Sequence, residues 1–261
     1  MSDSRGAVLV AVLMAAVVAL AIVFPNLGER SGPIVVEETT GTDAGRDEIR
    51  DTVREYLLEH PEVIVEALEA LQNRRQKADQ ARARGALAAS RDALVNDSRD
   101  PFIGNPDASI TLVEFFDYQC PYCKRMAQDL AAVAEEDSDL RIVFKEFPVF
   151  GEPSALAARA ALAANKQGKY LEFHMALMEL PGAPSESTIA HLAERTGLNL
   201  ERLRADMESE EITSMLAETK RLAQRIGVRG TPAFIVRNEL IPGAMSPENL
   251  REFIARMRKD S

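Results

Sequence analysis

Two cysteines, Cys120 and Cys123, lie three residues apart in a chain of 261 residues that has no others. The apolar run 110–116 comes just before them and is typical of a buried central strand, while 121–135 has the apolar period of a helix. The pair is therefore predicted at a strand-to-helix junction, where cysteines on one helical turn are close enough for a disulfide. A single close pair excludes a disulfide framework and a four-cysteine zinc site.

The rest of the pattern predicts further strands and helices. They are a strand at 140–147, a helical block over 154–226 that ends at Gly227, a hairpin over 232–241 turned at Arg237 and Asn238, and a helix after Ser246. Strands and helices in this order predict an α/β fold. With 46% hydrophobic residues in the chain, residues 97–261 can bury the core of one domain.

The first residues indicate export. Residues 7–24 form an apolar run after Arg5, which predicts a signal peptide or signal anchor over 1–24. Because a spanning helix needs about 18 apolar residues, we favour an uncleaved membrane anchor over a cleaved signal. Residues 25–45 are predicted as a flexible linker. The remainder is expected in the periplasm or another extracytoplasmic space, where disulfides persist.

An N-terminal helical segment is predicted over 46–96, with a break at His60-Pro61. Two helices cannot bury their apolar surfaces by themselves, and the later turns carry only a thin apolar stripe. The segment is therefore either a solvated spacer or an arm through which the chain self-associates. We favour the arm.

The net charge of the chain and the residue types that could bind metal ions limit the partners and cofactors that we expect. The formal net charge is -10, with no basic stripe, which argues against a nucleic-acid partner. Three scattered histidines predict no metal site, and we expect no cofactor. A soft ion such as Cu(I), held by the two thiolates and Met126, is an alternative of another class. We prefer Met126 as a core residue, because it shares a helical face with Leu130 and Val133.

The two thiols are expected to have unequal roles. Cys120 lies at the start of the helix, where unpaired backbone N–H groups and the helix dipole stabilise a thiolate. Cys123 lies one turn further along and is expected to be more buried. We therefore predict that Cys120 is the exposed nucleophile that forms mixed disulfides and that Cys123 resolves them.

Two motifs resemble the DsbA-type branch of the thioredoxin superfamily. They are the segment 114–123, which reads Glu-Phe-Phe-Asp-Tyr-Gln-Cys-Pro-Tyr-Cys, and Gly230-Thr231-Pro232. The resemblance implies a thioredoxin-like fold with an inserted helical domain at about 152–227, preceded by N-terminal helices. Residues 57–62 are similar to the N-terminal segment of ScsC-like proteins, some of which form trimers and act as disulfide isomerases.

The resemblance also implies residues that support the cysteines. Pro232 would be a cis proline beside them, and Thr231 would contact them or a bound peptide. Glu114 would be a buried acid that takes the proton of the resolving thiol, since burial raises the pKa of a carboxyl. Lys145, on the following strand, is the expected ionic partner of Glu114.

The implied activity is protein thiol-disulfide exchange, with exported proteins as clients and a membrane redox partner. The dipeptide Pro121-Tyr122 differs from the Pro-His of strongly oxidising DsbA proteins. Thr231 resembles isomerases at the position before the proline. We therefore expect a weaker oxidant and favour isomerase or reductase activity over oxidase activity.

Overall fold

The computed structural model describes residues 43–259, with side chains from residue 45 onward. The leader predicted over 1–24 lies outside the described residues, as does the linker up to residue 42. No helix within 43–259 combines the length and apolar character that crossing a membrane requires. The chain divides into two units, one that ends at Leu68 and one that begins at Glu69.

The described part of the first unit is helical. Helix α1 covers Asp43–Glu59, and α2 covers Glu62–Ala89, so that α2 begins in the first unit and continues into the second. The break falls at Pro61, which has no N–H to donate to the preceding turn. Large apolar side chains of this unit are exposed, namely Ile49, Val53, Tyr56, Leu58, Ile64, Val65 and Leu68. The first unit therefore presents apolar surface along both helices.

The second unit combines a sheet with many helices. After α2 its elements are α3 Arg91–Val95, β1 Phe102–Gly104, β2 Ile110–Phe116, α4 Pro121–Glu136, β3 Leu140–Glu146, α5 Glu152–Asn165, α6 Tyr170–Met178, α7 Glu186–Arg195, α8 Leu200–Met207, α9 Glu210–Ile226, β4 Ala233–Val236, β5 Glu239–Pro242 and α10 Pro247–Lys259. The predicted strands, helical block and hairpin are confirmed. Helix α3 lies within the helical segment predicted over 46–96, but its separation from α2 at Ser90 is not predicted. The sequence does not predict β1, because a strand of three residues shows no hydrophobic period.

The sheet has five strands in the order β1-β3-β2-β4-β5. Strands β2 and β3 are parallel and are joined through α4, while the other pairs are antiparallel. Strand β2 is central, and all of its side chains except Thr111 are buried. Burial on both faces explains its nearly continuous apolar sequence.

The two faces of the sheet belong to different core clusters. Leu112 and Phe116 face α4, α10 and the inserted helices α5 to α8. Val113 and Phe115 face the opposite way and pack with Leu87 of α2, with α3 and with the end of α9. The last part of the helical segment predicted at 46–96 thus contributes to the core of the second unit.

A buried ion pair fastens β3 to the segment after α3. The ammonium of Lys145 donates to the carboxylate of Asp100 and, at 2.6 Å, to the carbonyl oxygen of Ala93. The two charged side chains are only 3% and 6% exposed. Burial raises the pKa of Asp100 to about 6, against the opposing charge of Lys145.

Replacing Lys145 with methionine should destabilise the second unit by about 3 kcal/mol, because Asp100 would stay buried without its cation. Urea denaturation measures this loss. A double variant that also carries Asp100→Asn should recover much of it, since the buried charge is then gone. The matched control, Arg251→Met, breaks an exposed pair with Glu136 and should cost less than about 1 kcal/mol. Equal losses in K145M and R251M would contradict the role given to the buried pair.

Candidate active site

Cys120 and Cys123 lie directly after β2, at the start of α4. Cys120 is the residue before the helix, and Pro121 is its first residue, where a missing N–H costs nothing. Both cysteines are free thiols, and both are buried. The predicted strand-to-helix junction is therefore confirmed.

The exposure of Cys120 differs from the prediction. Cys120 is 1% exposed and Cys123 is fully buried, so the expected contrast between the two is absent. The Sγ atom of Cys120 donates a hydrogen bond to the carbonyl oxygen of Thr231 at 3.2 Å, which places the segment before β4 against this sulfur. The prediction of an exposed nucleophile is wrong for this conformation. The group that contacts the thiol is 111 residues away in the chain, so the family resemblance, rather than the spacing of residues, indicates the contact.

The Thr231-Pro232 segment lies where the resemblance implies. Its peptide bond is cis. Thr231 contacts the cysteine through its backbone carbonyl rather than through its side chain. The hydroxyl of Thr231 is buried and has no hydrogen-bond partner among the described groups. The structure thus brings Thr231 to Cys120 and leaves one buried polar atom beside the thiol.

Glu114 is buried in β2 with 1% exposure, on the face that carries Leu112 and Phe116. Its Oε1 atom has no hydrogen-bond partner in the described part of the chain. Burial raises the pKa of this carboxyl to about 8. The pKa of the Cys123 thiol is raised as well, first by burial and then by the charge of Glu114. The acid and the second thiol therefore interact electrostatically.

Lys145 is not the partner of Glu114, and that prediction is wrong. In the parallel ladder Glu114 pairs with Phe144, and Lys145 pairs with Phe115. Neighbouring residues of a strand point to opposite faces, so Lys145 faces away from Glu114 and meets Asp100 instead. Glu146, together with Phe144, is on the face of β3 that Glu114 shares, so the charged neighbour of Glu114 on β3 is another acid rather than Lys145.

Asp117 organises the loop between β2 and α4, and the sequence reasoning missed it. One carboxylate oxygen accepts hydrogen bonds from the backbone N–H of Gln119 at 2.7 Å and the hydroxyl of Ser154 at 2.6 Å. The other accepts from the backbone N–H groups of Val149 and Phe150 at 2.7 and 3.1 Å. An aspartate directly after a strand is a recognisable turn signal, but its distant donors are not. Asp117 fixes the active-site loop to the segment after β3.

A second group of buried polar residues was also missed. Glu146 accepts hydrogen bonds from Tyr118 and Tyr170, and Tyr118 also meets His174. Tyr118 belongs to the motif that precedes the cysteines, whereas the others come from β3 and from the inserted helix α6. No spacing in the sequence connects these parts of the chain.

Met126 lies in the core, as predicted. It is 3% exposed, and its Sδ atom accepts a hydrogen bond from the backbone N–H of Met245 at 3.3 Å. Within residues 43–259, no cluster of three or more histidine, cysteine or acidic side chains is arranged to hold a metal ion.

The fold and the paired thiols define an oxidoreductase of the thioredoxin class. The model of the DSBA-like thioredoxin domain matches residues 111–255, which is more than half of the chain, so the chain belongs to that family. The model of the copper resistance protein ScsC N-terminal domain matches residues 46–78.

Several known proteins are similar to the chain. A thioredoxin-like oxidoreductase from Silicibacter pomeroyi is 44% identical, with a TM-score of 0.63, over 65% of this chain and 98% of that one. Proteus mirabilis ScsC in a transitional conformation is 32% identical, with a TM-score of 0.63, over 84% and 100%. Disulfide bond formation protein D of Bacillus subtilis is 28% identical over 61% and 77%. The chain also matches Na(+)/H(+) antiporters NhaA of two Salinispora species, of whose length it spans 27%.

Replacing Glu114 with glutamine should change how stability depends on pH. The pKa of the folded carboxyl, about 8, lies above its ordinary value of 4.5. The wild type therefore keeps full stability below pH 4.5 and loses it as the pH rises toward 8. At pH 7 the variant should be more stable by on the order of 3 kcal/mol, and near pH 4 the two should be equal.

Urea denaturation of the reduced protein across this pH range is the measurement. Exposed Glu135→Gln is the matched control and should follow the wild type at every pH. A wild-type profile that E114Q reproduces in full would show that Glu114 is not the titrating group.

Proposed function

We propose that the protein exchanges disulfides with exported client proteins through Cys120 and Cys123. The observation that carries the proposal is the placement of the two free thiols within one turn at the start of α4, where the carbonyl oxygen of Thr231 accepts a hydrogen bond from the first thiol. Thiols this close can form and open a small disulfide ring. Similarity to ScsC and to disulfide bond formation protein D supports the same chemistry.

The proposed reaction begins at Cys120. Its thiolate attacks a client disulfide, a mixed disulfide forms at Cys120, and one client sulfur leaves as a thiolate with the electron pair of the broken bond. A second client thiolate can then attack the mixed disulfide, which releases Cys120 and leaves the client with a rearranged bond. Alternatively, Cys123 attacks Cys120, so that the intramolecular disulfide forms and the client leaves reduced.

Access to Cys120 requires a local movement in this scheme. The residue is 1% exposed, and Thr231 accepts the hydrogen bond of its thiol. A client chain that approaches the sulfur must displace covering groups before attack. The free hydrogen-bonding capacity of the buried Thr231 hydroxyl is then available to the client backbone.

The direction that we propose is isomerisation or reduction. A thiol with a raised pKa holds its proton, and both burial and Glu114 raise the pKa of Cys123. This disfavours the thiolate of the reduced pair, whereas strong oxidants owe their potential to a reduced form that is stabilised as a thiolate. Tyr122 in place of the histidine of those oxidants points the same way. The pair would then have to be kept reduced, which implies a membrane redox donor.

The proposed location is outside the cytoplasm, with the catalytic domain over 97–261 tethered through residues 1–45. Disulfide exchange with clients needs an oxidising compartment. The apolar run at 7–24 supports export and a membrane anchor.

The proposed assembly is a homotrimer formed through the N-terminal helices. Ile49, Val53 and Tyr56 recur on one face of α1 and are more than half exposed. Apolar side chains at this spacing are buried when helices from separate copies pack together. Residues 46–78 match the ScsC N-terminal domain, which supports this assignment.

Client trapping tests the site. Cys123→Ala should accumulate mixed disulfides at Cys120, because the resolving thiol is lost. Non-reducing electrophoresis of the exported proteins, with and without dithiothreitol, would reveal these adducts. Cys120→Ala is the matched control and should trap none.

The outcomes separate the alternatives. Adducts on C120A but not on C123A would reverse the assigned roles. Absence of adducts, together with tight Cu(I) binding that Cys120→Ser abolishes, would favour the copper-binding alternative. The burial of Met126 disfavours that alternative, because its thioether is engaged in the core.

Self-association and direction can be tested together. The wild type should sediment as a trimer, stay reduced in cells and restore scrambled ribonuclease. Replacing Ile49 and Val53 with serine should yield monomers that still reduce insulin but no longer restore the ribonuclease. Serine at Asp51 and Glu55, on the opposite face of α1, should change neither property. A wild type that is monomeric, oxidised in cells and inactive on scrambled ribonuclease would exclude an isomerase.

A further inference from the structure

A buried hydrogen-bonded cluster adjoins the active-site loop. The Oε1 atom of Glu146 accepts from the hydroxyl of Tyr118 at 2.9 Å and from that of Tyr170 at 3.0 Å. The hydroxyl of Tyr118 also lies 3.0 Å from Nδ1 of His174. These four residues, here called the Glu146 cluster, are each at most 5% exposed. Water therefore does not compete for their hydrogen bonds.

Strand register places Glu146 on the same face as Glu114. Phe116 pairs with Glu146 in the ladder where Glu114 pairs with Phe144, so the two carboxyls are diagonal neighbours on adjacent strands. Helix α4, which carries Cys123, covers this face. Two carboxyls in one apolar layer repel each other when both are ionised.

The titratable groups that act on Glu146 come from three parts of the chain. They are Glu114 of β2, Asp117 and Tyr118 of the loop before α4, and Tyr170 and His174 of α6. Burial raises the pKa of Glu146, the two tyrosine hydroxyls oppose this, and the charges of Asp117 and Glu114 raise it again. Lys145, the adjacent cation, faces the opposite way. Burial also lowers the pKa of His174 to about 3, so its ring is neutral at neutral pH.

The same atomic positions allow two directions of hydrogen bonding. When Glu146 is ionised, Tyr118 donates to it, and the hydroxyl oxygen of Tyr118 must accept from a proton on Nδ1 of His174. When Glu146 is protonated, it donates to Tyr118, and Tyr118 donates to Nδ1, so the histidine proton lies on Nε2. The tautomer of His174 therefore reports the protonation of Glu146.

We propose that Glu146 is a positioning residue of the redox site, which, with Tyr118 and His174, holds a proton whenever Glu114 has given its own to Cys123. The inference rests on the proposed function of the cysteine pair. It keeps one carboxyl of the two protonated in either redox state. The cost of two buried negative charges is thus avoided throughout the cycle.

The proton balance can be followed through one step. When Cys123 attacks the mixed disulfide, its thiol proton passes to the ionised fraction of Glu114, whose pKa is about 8. The bond between the two cysteine sulfurs forms, and the bond from Cys120 to the client breaks. The client leaves as a thiolate with that electron pair. Glu146 then releases its own proton to solution, where the client thiolate can take it up, and the two tyrosine hydroxyls stabilise the new carboxylate.

Nitrogen-15 NMR of the imidazole ring tests the inference on the unmodified protein. Above pH 8, where the Glu114 carboxyl of the reduced protein is past its pKa and ionised, we expect the His174 proton on Nδ1 in the oxidised protein and on Nε2 in the reduced protein. The same tautomer in both redox states would overturn the inference. Because this measurement needs no substitution, it does not depend on whether a variant folds.

Equilibration with glutathione at several pH values is the second test. Glutamine at position 146 cannot take up a proton, so reduction of E146Q should consume one proton fewer. The ratio of the wild-type to the variant equilibrium constant should then change by up to about tenfold per pH unit, whereas a merely structural role would give a constant ratio. Tyr118→Phe, which interrupts the path to His174, should fix the tautomer in both redox states.

The matched control is Tyr170→Phe. It removes the same kind of hydrogen bond to Glu146 but leaves the path from Glu146 through Tyr118 to His174 intact. Its equilibrium constant should keep the wild-type pH dependence, and a loss equal to that of E146Q would overturn the inference. Trapping of clients by C123A together with an unchanging tautomer would reject this inference alone. Failure of the trapping itself would reject the proposed function.

Discussion

The burial of β2 on both faces is the constraint on which the rest of the second unit depends. The strand pairs with β3 on one side and β4 on the other, and helices cover both of its faces. The carboxyl end of β2 therefore fixes the position of Cys120 at the start of α4. From the other side, β4 begins immediately after Thr231 and Pro232, so the pairing of β2 with β4 brings Thr231 against the thiol.

The same burial sets the electrostatics of the site. A carboxyl within a strand that has no access to water favours its protonated form, and Glu114 occupies such a place beside Cys123. Asp117 lies at the end of this strand but accepts four hydrogen bonds, which compensate its burial. Glu146 lies between these extremes, because one of its oxygens is hydrogen-bonded and the other is buried with no partner among residues 43–259. Glu114, Asp117 and Glu146 thus have three different environments. The number of hydrogen bonds that each carboxyl accepts distinguishes them.

The inserted helices contribute side chains to the interior beside the redox site. Helix α6 supplies Tyr170 and His174, which meet Glu146 and Tyr118 in the interior. Helix α1 and the first half of α2 contrast with this, because large apolar side chains there, such as Ile49, Val53 and Leu68, remain exposed. The insertion is therefore part of the redox domain, whereas the apolar face of α1 remains exposed.

The sequence alone determined the parts that follow from local pattern. The two cysteines, the apolar run of β2 and the helical period after it predict the strand-to-helix junction, and the Thr231-Pro232 motif allows its contact with Cys120 to be inferred from resemblance. The tertiary structure decided which side chains contact each other at the site. A shift of one residue along β3 separates Lys145 from Glu146, and a strand pattern does not show which of them shares the face of Glu114. The burial of Cys120 and the Glu146 cluster depend on contacts between distant segments, because packing rather than spacing brings those side chains together.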